Sequence, residues 1–195
     1  MLCEAFYCPL HLLEVGLRNA IDGAFRAKHG AEWLTGPRAL RMLDWEIATR
    51  DQARETVGKN GHAVTHGRLV AEVPFAFWTG LLSSEYEHAW HGCIRLAFPG
   101  LPSARRKRSV PHERLHILRT FRNKVFHHQR IAHLPVADRH AEIREVLGWI
   151  NPELLALLDV SDSFPQVHRR GRSAANRLVA RLSNPQELIE VSAGG

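Results

Sequence analysis

The stretch "PHERLHILRTFRNKVFHHQRI", residues 111–131, decides the fold, because its apolar residues return at helical and not at alternating steps. At about 100° per residue, Leu118, Phe121 and Val125 share one stripe, and His116, Thr120, Asn123 and His127 share the opposite side. A helix with a core face and a polar face follows.

The same period runs outward in both directions. Leu2, Ala5, Phe6, Leu10, Leu13, Leu17, Ala20, Ile21 and Ala24 recur at three- and four-residue steps from the first residues, an abrupt start that points to further sequence upstream. Gly36 and Pro37 punctuate the chain before a shorter helix around residues 38–55, and "VGKNGHAVTHG" (57–67) reads as a loop. Helical spacing returns from His66 to Phe98, with Pro74 starting or kinking a helix. "PGLPSARRKRSVP" (99–111) reads as an exposed basic connection, with Pro111 early in the next helix. Residues 138–158 form another amphipathic helix burying Ile143, Val146, Leu147, Ile150, Leu154, Leu157 and Leu158, which Pro152 can break in two. After Ser161, Arg169, Arg170, Arg172, Arg177 and Arg181 mark a basic helix that frays near Gly194. Trp33, Trp45, Trp78, Trp90 and Trp149 read as core aromatics. No alternating β-branched run and no repeat occurs, so the fold class is all-α.

Composition narrows the function classes. A chain of 195 residues, 45% hydrophobic, is sized for one domain with a real core. The formal charge of +6, with thirteen histidines in reserve at lower pH, favours a polyanionic partner. Cys3, Cys8 and Cys93 form neither a disulfide framework nor a CxxC metal site. No apolar run is long enough for a membrane span, and no signal peptide is evident. A soluble, cytoplasmic chain with no membrane partner and no cofactor is expected.

Two motifs compete on the helix of 111–131. His112, Glu113 and His116 spell HExxH, in which two histidines four apart bind zinc and the glutamate acts as general base. With thirteen histidines and fourteen glutamates, chance alone yields that string at about 6 per cent, and the HxxGxxH extension is absent. Its bland reading is a set of solvated first-turn residues, Glu113 favoured by the helix dipole. Arg122, Asn123 and His127 spell RNxxxH, expected by chance about 0.05 times. Phosphodiester cleavage needs a cation for the non-bridging oxygens and a group that moves a proton near pH 7. RNA supplies its own nucleophile in the 2′-hydroxyl, so no metal is obligatory. Arg122 lies about 100° from Asn123 around the helix, so the site works best if a second copy completes it. The bland alternative for His127 is a solvated histidine.

"LLEVGLRNAI" (12–21), "HGRLVAEVPFAFWTGLLSSEYEHAWHGCIRLAFPG" (66–100) and "LHILRTFRNKVFHHQRI" (115–131), in that order, resemble the Abi-like abortive-infection family within the HEPN superfamily. The resemblance covers about residues 5–160. It implies an HEPN-like helical domain over 1–160, with 161–195 as a basic helical extension or tail. It further implies a homodimer whose paired R-x(4–6)-H motifs form a metal-independent endoribonuclease, often a toxin or phage-defence effector, with a possible antitoxin as partner. Arg122 and His127 match the catalytic pair, Asn123 the polar residue after the arginine, and His128 the second histidine. Gln129 and Arg130 depart from the family's acidic residue and proline.

Glu14, Arg18 and Asn19 are polar steps inside an apolar pattern. They are read either as cleft residues that orient Arg122 or the phosphate, or as a surface pair of Glu14 with Arg18. Lys124 is a supporting or RNA-binding candidate. The run Arg105–Arg108 reads more readily as solvated loop than as RNA groove. Two alternatives stand beside the nuclease: a non-catalytic HEPN domain that binds RNA, nucleotide or a partner protein, and a zinc hydrolase.

Overall fold

A computed structural model describes residues 2–36 and 40–183. Among these residues the chain is helix and turn without a strand, so the all-α class holds. After a 3₁₀ turn at Glu4–Phe6 come α1 (Tyr7–His29), α2 (Asp44–Lys59), α3 (His66–Glu72) and α4 (Phe75–Gly80). A second 3₁₀ turn, Ser84–Tyr86, leads to α5 (Ile94–Ala97), and then follow α6 (Ser109–Phe126), α7 (Val136–Ile150), α8 (Pro152–Ser161) and α9 (Phe164–Ser183).

α1 is the hub, packing against α3, α4, α5, α7 and α8. Leu10, Leu13, Leu17, Ile21 and Phe25 are fully buried along it, the face that the three-and-four spacing predicts. Gly16 lies under α8: a Cβ there would stand 2.7 Å from Leu154 Cδ1. No helix among the described residues is long and apolar enough to cross a membrane.

Several boundaries differ from the sequence-based expectation, each for a local reason. The helix expected at 38–55 spans Asp44–Lys59, because Leu43 is extended and its N–H donates to Tyr86 Oη at 3.0 Å, while Asp44 and Glu46 supply an acidic first turn. Pro37 lies outside the described residues. The 66–98 pattern is broken into short pieces around α1, with Pro74 extended immediately before α4. Burial drives the Tyr86 phenol up to about 12, against the Leu43 N–H and with the help of the Glu46 carboxylate. Trp45 is 49% exposed at the start of α2, unlike the other four tryptophans, and is therefore not a core residue.

The single helix considered over 138–158 ends at Ile150. Asn151 is extended, its side-chain oxygen accepts the Glu153 N–H at 2.8 Å, and Pro152 opens α8. This break resets the helical phase, so Leu158 is buried but Leu157, expected beside it, is 53% exposed.

The basic connection before α6 is largely exposed, as its composition suggests, but it is tied to the fold. Gly100 N–H donates to Trp149 O at 2.9 Å, laying the loop across the last turn of α7. Arg105 reaches Glu145 and sits over the Trp149 ring at 5.5 Å, and Arg106 donates to the carbonyls of Leu101 and Pro99. Arg108, only 9% exposed, is held by Glu87 and the Leu82 carbonyl. Three of the four charges in this run are staples of the fold.

Phe164, at the start of α9, is buried against Phe6 at 4.7 Å and His140 at 4.4 Å between ring centroids. The root of the expected extension therefore belongs to the core, whereas Arg169, Arg170, Arg172 and Arg177 are exposed. Gly194 lies outside the described residues.

Candidate functional site

The two ends of the RNxxxHH motif are positioned by different physics. Arg122 leaves α6 toward α1, where its Nε donates to Glu14 Oε1 at 2.5 Å and its Nη2 lies 3.4 Å from Oε2. Its guanidinium carbon stands 4.3 Å from the Phe126 ring centroid, one turn further along the same helix. Tyr7 stacks on the other partner of this arrangement, 5.5 Å from Phe126 with planes 24° apart, and its hydroxyl is 3.4 Å from His128 Nδ1. The carboxylate and the ring hold Arg122 by two of its nitrogens. Three of its five N–H donors are left over, two on Nη1 and one on Nη2. The side chain is 27% exposed.

His127 follows the last helical residue. It is exposed, and its ring faces the other side of α6. With Asn123, Lys124, Arg119, Thr120, Gln129 and Ala76 of α4 it lines an open cavity of about 420 Å³ without a carboxylate. His116, Thr120, Asn123 and His127 are all exposed, as the helical wheel requires. Arg122 does not line that cavity: five helical steps put it about 140° from His127. Arg122 and His127 thus stand on opposite flanks of one helix end.

The turn that ends α6 accounts for the second histidine. Gln129 N–H donates to Lys124 O at 2.9 Å and His128 N–H to Val125 O at 3.1 Å, the paired bonds of a Schellman C-cap. His128 occupies the left-handed position of that cap, φ 52°, where glycine is usual and a Cβ is disfavoured. His128→Gly is expected to raise stability by about 1 kcal/mol while removing the contact to Tyr7. Chemical denaturation followed by circular dichroism measures the first, and a destabilised variant would show that the imidazole holds the turn. The Gln129 backbone closes the cap, and both Gln129 and Arg130 are exposed.

The first sequence block divides. Glu14 meets Arg122, not Arg18, so the surface-pair reading of Glu14 with Arg18 does not describe this chain. Arg18 Nη1 donates instead to Ala71 O at 3.4 Å near the end of α3, and its Nε is buried without a partner. Asn19 is exposed on α1 and has no contact to Arg122 or His127. Sequence reasoning missed Tyr7, Phe126 and Arg119. Phe126 was legible as the i+4 neighbour of Arg122, whereas Tyr7 gave no local signal.

HExxH lies in the second turn of α6, not the first, because the helix begins at Ser109. The His112 and His116 rings are 6.3 Å apart. Burial lowers the His112 pKa, and the positive charges of Arg108 and His116 lower it further. Among the described residues, no third histidine, cysteine or carboxylate joins them in a group able to hold a metal ion.

No family model, no curated protein and no solved structure matches this chain.

Proposed function

We propose that the chain is a metal-independent endoribonuclease of the HEPN type, related to the Abi-like family, acting in the cytoplasm as a phage-defence effector or toxin. A homodimer completes its site, and an antitoxin is its natural restraint. The observation that carries this reading is the Glu14–Arg122 clamp. It brings the first and third resemblance blocks, 108 residues apart, together at the arginine of RNxxxH.

On this reading Arg122, fixed by Glu14 and Phe126, binds the non-bridging oxygens of the scissile phosphate. An imidazole takes the proton of the 2′-hydroxyl as O2′ bonds to phosphorus. The P–O5′ bond breaks, and the imidazolium so formed gives its proton to O5′. The products are a 2′,3′-cyclic phosphate and a 5′-hydroxyl. His127 is the proton-moving group, and Asn123 and Lys124, beside it in the cavity, position the strand. The roughly 140° between Arg122 and His127 in one copy is the reason for a second copy, whose motif brings the missing half.

Purified protein is expected to cut single-stranded RNA in excess EDTA, leaving cyclic phosphate ends, and to leave the all-deoxy oligonucleotide intact. The same divergence of Arg122 and His127 favours a non-catalytic binding domain if the chain acts singly. RNA retained on a native gel without shortened products is the result that selects it. Activity lost in EDTA and restored by stoichiometric zinc would instead select the HExxH reading.

A further inference from the structure

A second cleft lies between the start of α7 and the first half of α9, with a volume of about 530 Å³. One face of α9 lines it. His168 and Arg172, Arg169 and Ser173, and Arg172 and Asn176 are each four residues apart, the spacing that keeps side chains on one side of a helix. No carboxylate lines the cleft; Asp162, close behind it, is buried and bound to His140 Nε2 at 2.6 Å.

Several arginines of the domain body are neutralised internally, although Arg54, Arg95 and Arg119, like those of the cleft, have no ion pair among the described residues. Arg26, Arg50, Arg105, Arg108, Arg114, Arg122, Arg139 and Arg144 each reach a carboxylate. Arg169 and Arg172 have no ion pair among the described residues, although they face a concave surface. Forked guanidinium groups without an internal acid are suited to phosphate oxygens.

An aromatic ladder leads into the same cleft. The His140 and Phe164 rings stack at 4.4 Å with planes 20° apart, and Phe164 and His168 at 5.1 Å with planes 12° apart. The series runs from buried His140 and Phe164 to half-buried His168. A ring aligned beside two unpaired arginines offers a base a stacking surface next to its phosphates, as single-strand binding requires and as a lipid headgroup does not. The root of the cleft also adjoins the root of the candidate site. Phe6 packs on Phe164 at 4.7 Å and on Phe121, the residue before Arg122, at 4.8 Å.

We infer that the α7–α9 cleft binds single-stranded RNA, with Arg169 and Arg172 on consecutive phosphates and His168 stacking on a base. The inference rests on the nuclease reading for the identity of the polyanion, and it assigns the strand a second anchor outside the cleavage site.

The test is fluorescence anisotropy of the full chain with a short 2′-O-methyl oligouridylate, which cannot be cleaved, over a salt series. R169Q/R172Q is expected to weaken binding at least tenfold and to reduce the slope of log affinity against log salt by about 1.4, about 0.7 per phosphate contact. H168A is expected to weaken binding on the order of tenfold with the slope unchanged. Both sets of side chains are solvent-accessible, and circular dichroism confirms that the variants fold. Undiminished affinity and slope in R169Q/R172Q would overturn the inference. So would binding of the wild-type chain to anionic phosphatidylglycerol vesicles with no affinity for the oligonucleotide. Cleavage by the wild-type chain in EDTA is scored separately. If it fails while the variant effects on binding persist, the nuclease reading falls and the cleft stands; if cleavage occurs and the variants bind normally, the reverse holds.

Discussion

His127→Ala is expected to reduce RNA cleavage by a factor on the order of 10²–10⁴, the range associated with losing a positioned general acid or base. The side chain is exposed at the end of α6 and makes no hydrogen bond among the described residues, so its removal is expected to leave the domain intact. Thermal melting of the variant should match that of the parent. The stronger form of the experiment uses the divergence of Arg122 and His127. Arg122→Ala is also expected to be inactive, since it removes the cation clamped by Glu14. When the two inactive chains are mixed and allowed to exchange, half of the dimers are mixed by statistics. If Arg122 of one copy serves His127 of the other, one of the two sites in each mixed dimer is whole, and cleavage returns to about a quarter of the parent value. No recovery in dimers shown to have exchanged would place both residues of each site in one chain. Undiminished cleavage by His127→Ala would remove the assignment altogether.

Gly100→Val is expected to be the most damaging single change to the fold outside the apolar core. A Cβ at this position runs into the carbonyl oxygen of Gly148 and stands 3.2 Å from Trp149 Cα. Both are helix backbone, and neither can rotate away as a side chain does. Moving the loop instead would break the bond from Gly100 N–H to Trp149 O and disturb the Arg105 contacts to Glu145 and Trp149. Overpacking of this kind, with loss of a hydrogen bond, costs about 3 kcal/mol or more, which is about 6–12 °C in melting temperature for a domain of this size. Gly16→Ala is the informative comparison. Its nearest obstacle is the terminal methyl of Leu154, which has other rotamers, so a loss below about 1.5 kcal/mol is expected. Equal melting temperatures for Gly100→Val and the parent would show that the loop does not bear on α7 as described.

The helices were legible in the chain because burial follows a period. Leu10, Leu13 and Leu17, like Leu118, Phe121 and Val125, could be read as core from spacing alone, and all six are buried. Where the reading went astray, a local break or a contact distant in sequence had intervened. Asn151 and Pro152 turned one amphipathic helix into two, and Leu157 ended outside. Trp45, judged by its residue type, stands at the exposed start of α2, whose position is set partly by the Tyr86 hydroxyl on Leu43. The basic run at 105–108 is exposed at Arg105, Arg106 and Lys107 as its composition suggests, but composition does not reveal that Arg105 and Arg108 have glutamate partners forty and twenty-one residues away.

By itself the sequence determined the all-α class, the core face of each long helix and the polar side of α6, because these depend on the repeat of 3.6 residues and on transfer of apolar surface from water. The tertiary structure alone decided that Glu14 belongs to Arg122 and that Tyr7 stacks on Phe126. Each of these depends on where two helices meet and at what rotation. A hydrogen bond or a ring contact requires atoms within a few ångströms, and no local period encodes a meeting across 108 residues.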